Sequence, residues 1–397
     1  MTLPSIKLKS QPIDRRRHPW VYDNEVAEGP GADFVDGNLV CVKEPGGRPI
    51  GIGYLNQMSK IAFRYLTRNP DELIDQKFWQ QRVAAAYRYR IDRYAGRGGL
   101  PASYRLIHGE ADGIPGLTVD VYQRFAVCQF LALGLERWRA DLISAIAETI
   151  QADGLYERSD STIRNLEGLE PQSGVLWGQE PPEIIEISEG DAVVLANIKT
   201  GAKTGLFLDQ RENHKAVAIE APGRDVLNCF SYTGLFGLHS AFKGAKSVTD
   251  VEASTEFNAL NEKQWSRNNL SVPHKIVDAN VFDYLHILDD ERFKTDLIIL
   301  DPPAFTKKRS TRESAARGYN EINRLAMRLL HPGGVLVTCS CSHHISSEEF
   351  RSIIARASGD AHRNLRLIAQ HGQPPDHPVL VDAPESDYLK CLIFAVE

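Results

Sequence analysis

Two cysteines, Cys339 and Cys341, stand one residue apart in the stretch LVTCSCSHH, residues 336–344. They follow Gly333-Gly334 and close a run, Val335 to Thr338, that suits a buried strand. Thiols at a strand end serve as packing, as metal ligands or as a nucleophile. Cys339, Cys341, His343 and His344 are crowded into so short a span that they make poor tetrahedral geometry, so no metal site is assigned to them. Only one of the two thiols need do chemistry.

Further candidates stand at the ends of other strand-like runs. In LNCFSYTGLFG, residues 227–237, a turn holding Gly234 precedes a helix. The turn is not G-x-G-x-x-G. With Gly234 and Gly237 alone for a close approach it suits a cofactor without phosphates, and it speaks against a nicotinamide dehydrogenase. TDVEAS places Glu252 18 residues after Gly234, near where an acidic side chain would hold two ribose hydroxyls. Asp250 competes for that role, and Glu252 is the favoured choice. VDANVFDYL offers Asn280 or Asp278 to an adenine amine. IILDPPAF sets Asp301 at a strand end, before a stiff Pro302-Pro303 loop poor in N–H donors, with Phe305 available to stack on a flat base.

These candidates need a scaffold, and the chain divides into three parts. Residues 1–72 read as short extended runs between turn signals, a small β barrel or sandwich. Arg15, Arg16, Arg17 and His18 precede it, with Trp20 and Tyr22 interleaved, a pattern able to pair with phosphates and stack on bases. Residues 73–184 form an α+β module. Its first helix carries Trp79, Val83, Tyr87, Ile91 and Tyr94 on one face, and a second carries Trp138, Leu142, Ile146 and Ile150. From residue 185 to 397 strands and helices alternate, which predicts a parallel, doubly wound sheet with its ligand outside the carboxyl ends of the strands.

Composition sets the outer bounds. Of 397 residues 42% are hydrophobic and 25% charged, with no apolar run long enough to span a bilayer and no secretory h-region. Six cysteines without a C-x-x-C pair favour reduced thiols in a cytoplasm. The net charge is −6, yet the first 100 residues carry 16 Lys+Arg against 11 Asp+Glu, which leaves −11 on the remainder. A basic amino-terminal part on an acidic body is compatible with an RNA-gripping module, and equally with ordinary scatter.

Taken with RHPWVYDNEV, HGEADGIPGLTVDVY, YERSD, KTGLFLDQREN, FSYTGLFG, LDPPAF, RGYNEIN and SCS, the sequence resembles the bacterial 23S rRNA large-subunit cytosine-C5 methyltransferase family. The resemblance implies a multidomain α/β protein: a PUA-like RNA-binding domain, a central α+β domain and a Rossmann-like class I methyltransferase that uses S-adenosylmethionine. It assigns Phe207, Asp209, Arg211, Phe230, Tyr232 and Glu252 to the cofactor pocket, to which Asn228, Thr233, Gly234 and Asp301 are added. Asn280 takes an adenine-binding position where relatives usually carry Asp; its amide oxygen is still an acceptor. Pro302, Pro303 and Phe305 would meet the substrate base.

The family's chemistry requires a thiolate, because carbon 5 of cytosine attacks a methyl sulfonium only after a nucleophile has added at carbon 6. In relatives the nucleophile is the central residue of S-C-S, here Cys341, with Asp301 contacting the cytosine amine and ring nitrogen. The Asp-Pro loop lacks the second cysteine that many RNA cytosine-5 methyltransferases use for product release. A base-amine or guanine-N7 methyltransferase that uses the Asp-Pro-Pro loop without a nucleophilic thiol is the alternative within enzymes. A non-catalytic RNA-binding ribosome assembly factor is the alternative from another class. The implied partner is 23S rRNA or a large-subunit precursor, with no membrane, and the sequence leaves a homodimer open.

Overall fold

The computed structural model describes residues 3–10, 17–305 and 312–397. The chain folds into two compact units. One comprises Met1–Ile187, Ala196–Leu208 and Pro375–Ser386; the other comprises Ser188–Leu195, Asp209–Pro374 and Asp387–Glu397.

The first unit contains two sheets. Strands β1 (Ser5–Leu8), β2 (Trp20–Val21), β3 (Val26–Glu28), β4 (Leu39–Lys43), β5 (Pro49–Leu55) and β6 (Phe63–Thr67) form one, in the order β2-β6-β5-β4-β1-β3. Alternation in β1 and β4 buries Ile6, Leu8, Val40 and Val42 on one face, against Phe63. Arg15 and Arg16 lie outside the described residues. The second sheet joins β7 (Ser103–His108), β8 (Leu117–Tyr122), β9 (Phe125–Phe130), β10 (Gly154–Ser159) and β11 (Gln172–Gly178) in reverse order. Helices α1 (Gln76–Tyr94) and α2 (Arg139–Ile150) pack with this sheet. The apolar stripe of α1 runs through Trp79, Val83, Ala86 and Tyr94, and leaves Ile91 exposed, contrary to its expected place in the buried face. Arg90 takes that position instead, because its guanidinium is paired with Asp112 and donates to the Arg105 and Asp376 carbonyls. A satisfied cation outcompetes an apolar side chain one residue away.

Strands β12 (Ile185–Glu189) and β13 (Ala192–Ala196) form a two-stranded sheet, of which Ser188–Leu195 belongs to the second unit. In the second unit β14 (Asp225–Cys229), β15 (Ser247–Glu252), β16 (His274–Asp278), β17 (Thr295–Leu300), β18 (Leu330–Ser340), β19 (Leu365–His371) and β20 (Lys390–Val396) form a seven-stranded sheet ordered β16-β15-β14-β17-β18-β20-β19. Strands β14 to β18 are parallel, and β20 enters antiparallel between β18 and β19. Five of the linking helices are α3 (Arg211–Ala218), α4 (Leu235–Phe242), α5 (Thr255–Asn268), α6 (Val281–Asp290) and α7 (Arg312–Leu329), followed by α8 (Ser347–Ala361). The strand order reverses between β14 and β17, and the crevice at such a switch point is the ligand position in doubly wound sheets. The β14, β15, β17 and β18 ends all open toward it, so the expected strand-end residues are neighbours through sheet register. No helix among the described residues is long and apolar enough to cross a membrane.

Candidate active site

The turn after β14 is the most constrained backbone of the unit. Phe230, Tyr232 and Gly234 all have positive φ, at 59°, 51° and 79°. The first two are costly for residues with a Cβ and persist only where neighbours over-determine them. Those neighbours are present. Ser231 N–H donates to the Val251 carbonyl at 3.1 Å, Gly234 N–H to the Ser231 carbonyl at 2.8 Å, and Tyr232 N–H to Glu252 Oε2 at 3.1 Å. At Gly234 a Cβ would come within 2.3 Å of Asn261 Oδ1, so glycine is required by space as well as by φ.

Glu252, half-buried at the end of β15, is locked in place. Besides Tyr232 N–H it accepts from Ala253 and Ser254 N–H at 2.9 and 3.0 Å. Asp250 is fully buried and taken up by Asn228 Nδ2 at 2.8 Å and Asn261 Nδ2 at 2.9 Å, with His274 Nε2 2.9 Å from its Oδ2. Asn228 and Thr233 are fully buried too, so their side chains support the turn from beneath and do not lie along its surface. Asn280 is exposed and caps α6 by accepting from Phe282 N–H at 2.9 Å.

At the other side of the switch point Asp301 accepts from Gln210 Nε2 at 2.9 Å, and Gln210 Oε1 accepts from Asn213 Nδ2 at 2.6 Å. Asp209 is buried and accepts from the Tyr388 hydroxyl at 2.7 Å; Arg211 is buried beside it. Pro302 is buried and Pro303 exposed. Phe305 packs its ring 4.6 Å from Tyr319 and 5.7 Å from Phe282. Phe207 belongs to the first unit, in the segment Ala196–Leu208, with Lys203 Nζ 4.5 Å from its ring centroid.

The two thiols of β18 and its following loop go separate ways. Cys339 is fully buried opposite Cys391 across the β18–β20 ladder, and contact with that thiol together with burial pushes its pKa well up. Cys341 is half-buried at the strand end. His343 and His344 are exposed. The serines on either side of Cys341 meet one hydroxyl. Ser340 Oγ donates to Tyr319 OH at 3.0 Å, Tyr319 OH lies 3.0 Å from Ser342 Oγ, and Ser342 N–H donates back to Ser340 Oγ at 3.3 Å. Burial pushes the Tyr319 phenol up to about 12, so it stays neutral.

Gln210, Tyr319, Tyr388 and Lys390 were not singled out by sequence reasoning. Tyr319 lies inside RGYNEIN, which marked the resemblance without suggesting a role. A second unanticipated group is the buried trio Glu189, His214 and His239, whose ligand-type atoms lie within 4.8 Å of one another. His214 Nδ1 and His239 Nε2 both approach the same Glu189 oxygen, at 3.4 and 3.2 Å. That is a carboxylate clamped by two imidazoles. Burial alone would raise the Glu189 pKa, but the two imidazoles outweigh it and hold the carboxylate well below its usual range.

Glu252, the Gly234 cradle and the neighbouring aromatics suit a nucleoside cofactor, and comparison with known proteins defines the class. Residues 8–68 match a PUA-like domain and residues 159–395 an S-adenosylmethionine-dependent methyltransferase. A Streptococcus mutans putative methyltransferase superposes over the whole of both chains at a TM-score of 0.83 with 22% identity. A putative methyltransferase complexed with SAH superposes at 0.84 with 23% identity, again over both full chains. The fold is thus that of a PUA-like domain joined to a methyltransferase, and S-adenosylmethionine is its cofactor. Ribosomal RNA large subunit methyltransferase I of Shewanella denitrificans is 39% identical over 96% of this chain and 96% of its own. The Escherichia coli O139:H28 protein of that name is 39% identical over 94% of each. The chain belongs to the ribosomal RNA large subunit methyltransferase I family.

Proposed function

We propose that this protein methylates carbon 5 of a cytosine in 23S rRNA, with Cys341 as a covalent nucleophile. The observation that carries the reading is the placement of a half-buried Cys341 between two serines tied to one neutral phenol, just past the end of the strand that neighbours the one leading into Asp301. Glu252 and the Phe230–Gly234 turn hold the cofactor, with Asn280 and Asp209 as further contacts; when bound, the cofactor supplies an electrophilic methyl group. The Cys341 thiolate adds to carbon 6, and carbon 5 becomes enamine-like. Asp301 accepts from the exocyclic amine; ring nitrogen 3 takes a proton from water as carbon 6 is attacked, donates it in a hydrogen bond to Asp301, and returns it to water when the 5,6 double bond re-forms. Once carbon 5 carries the methyl group, its proton passes to a base, the electron pair re-forms the 5,6 double bond, and the thiolate leaves. Pro302, Pro303 and Phe305 border the base.

RNA contact belongs on this reading to the PUA-like part. A cleft of about 550 Å³ there is lined by Lys9, Arg17, Arg48 and Arg68, with Glu44. Few phosphates would be neutralised, so affinity falls only moderately with salt. Six free cysteines fit a reducing cytoplasm. The test is trapping. RNA carrying 5-fluorocytosine at the target lacks the proton that must leave, so wild type should accumulate a protein–RNA adduct mapped to Cys341. Methylation of an exocyclic amine or of guanine, with no adduct, would replace this reading with the alternative that needs no thiol.

A further inference from the structure

The thiolate that this mechanism needs has to be stabilised by something near Cys341. Lys390 opens β20 and pairs in register with Ser340, the residue before Cys341. It is buried, and its ammonium donates to the Ser342 carbonyl at 2.9 Å, the Ile345 carbonyl at 2.9 Å and the Tyr388 carbonyl at 2.8 Å. Two of those carbonyls belong to the loop that begins at Cys341. All three N–H donors are thereby used, and no carboxylate among the described residues lies within ion-pair distance. A buried cation satisfied by neutral carbonyls keeps its field, whereas one paired with a carboxylate would lose most of it.

We infer that Lys390 is a positioning residue that acts through Cys341, a fixed positive charge that holds the loop after the strand and keeps the thiol ionised. The role rests on Cys341 being the nucleophile. With every donor engaged, Lys390 is placed to act as a charge and not as the base that removes the carbon 5 proton. Burial lowers the Lys390 pKa to about 8, against the opposing pull of a Cys341 thiolate and, more weakly, of Asp387 and Glu349. Other groups turned toward this point are Asp301 at the β17 end and Tyr319 on α7, which both work against a thiolate as anions, and His343, whose ring lies 5.3 Å from that of Tyr388. Glu349 is paired with Arg312 at 2.6 Å. Tyr319 stays neutral, so among these groups of the described residues the Lys390 charge opposes that of Asp301.

The test is the pH dependence of alkylation of the full chain by iodoacetamide, read at the Cys341 peptide by mass spectrometry, for wild type, Lys390→Met and Lys390→Arg. Melting and S-adenosylmethionine binding of each are measured alongside. Wild type should alkylate with a midpoint below the roughly 8.5 of a free thiol. Lys390→Met should move the midpoint up by about one pH unit or more, a tenfold loss of thiolate at pH 7 that disappears at high pH. Lys390→Arg should keep the wild-type midpoint. A folded, cofactor-binding Lys390→Met with an unchanged midpoint overturns the inference. So does a Lys390→Arg midpoint that moves as far as that of Lys390→Met, since the clamp and not the charge would then matter. If Lys390→Met does not fold, a wild-type midpoint at or above that of a free thiol is equally decisive against it. Alkylation reads the thiol itself, so failure here is separable from failure of the nucleophile reading, which is detected by methyl transfer in Cys341→Ala.

Discussion

Tyr319→Phe removes one oxygen atom from a buried site and should cost both stability and rate. The lost hydroxyl makes two hydrogen bonds of 3.0 Å, to Ser340 and to Ser342, and both serines are fully buried. Each such bond contributes about 0.5–1.5 kcal/mol net, so the sum is about 1–3 kcal/mol. Ser340 Oγ keeps the Ser342 N–H, which holds the cost to the middle of that range. For a unit of this size about 2 kcal/mol lowers the melting temperature by roughly 4–8 °C. Ser342→Ala and the double variant complete a cycle, and the pair should couple by about 0.5 kcal/mol or more because the two side chains touch. Differential scanning calorimetry supplies the thermodynamics. Single-turnover methyl transfer should show the rate falling about tenfold while S-adenosylmethionine affinity holds, since the Glu252 side of the cleft is untouched. A Tyr319→Phe protein with unchanged melting and rate would refute the claim that this phenol positions Cys341.

Other expectations follow from the same geometry. Glu252→Ala should weaken S-adenosylmethionine binding by about 10–100-fold in calorimetry, the loss of one or two charge-assisted hydrogen bonds; unchanged affinity would remove Glu252 from the ribose position. Gly234→Ala puts a Cβ against the Asn261 amide at a left-handed φ, so it should destabilise by about 2 kcal/mol or more and abolish cofactor binding, as seen by melting with and without cofactor. Burial lowers the His214 pKa more than Glu189 raises it, so the native state binds that proton later than the unfolded chain. Stability is therefore fully present above the unfolded value near 6.5 and falls as the pH drops below it; His214→Gln should flatten the slope of stability between pH 7 and 5. Under native conditions a thiol reagent should reach Cys341 and Cys41 but spare the buried Cys128, Cys229, Cys339 and Cys391, which peptide mapping reads directly.

Strand ends were the most legible part of the site. Gly234, Glu252 and Asp301 each stand at or just beyond the carboxyl end of a β-strand, and β/α alternation brings such ends together by topology. Residues two apart share a face of a regular strand, so the strand period does not separate Cys339 from Cys341; the strand's end at Ser340 does, leaving Cys339 in the core beside Cys391 and Cys341 in the loop beyond. Asp250 and Glu252 likewise share a face of β15 and differ by depth: Asp250 lies within the strand under Asn228 and Asn261, whereas Glu252 is its last residue. What the sequence hid is what arrives from far along the chain. Lys390 reaches the loop that begins at Cys341 only because β20 inserts antiparallel beside β18, and Tyr319 and Tyr388 reach their partners from α7 and from the approach to β20. No local period announces such contacts. Arg90 was illegible in another way: periodicity assigns an apolar residue to its face of α1, and Asp112 overrides it.

The central claim is tested most directly by one reaction run with wild type and Cys341→Ala. Each enzyme is incubated with methyl-labelled S-adenosylmethionine and 23S rRNA from cells lacking the enzyme, and the nucleosides are separated by mass spectrometry. Label in 5-methylcytidine with wild type and none with the variant is the expected result. Label in a methylated amine or guanine, undiminished in the variant, would contradict it and leave Cys341 a packing residue.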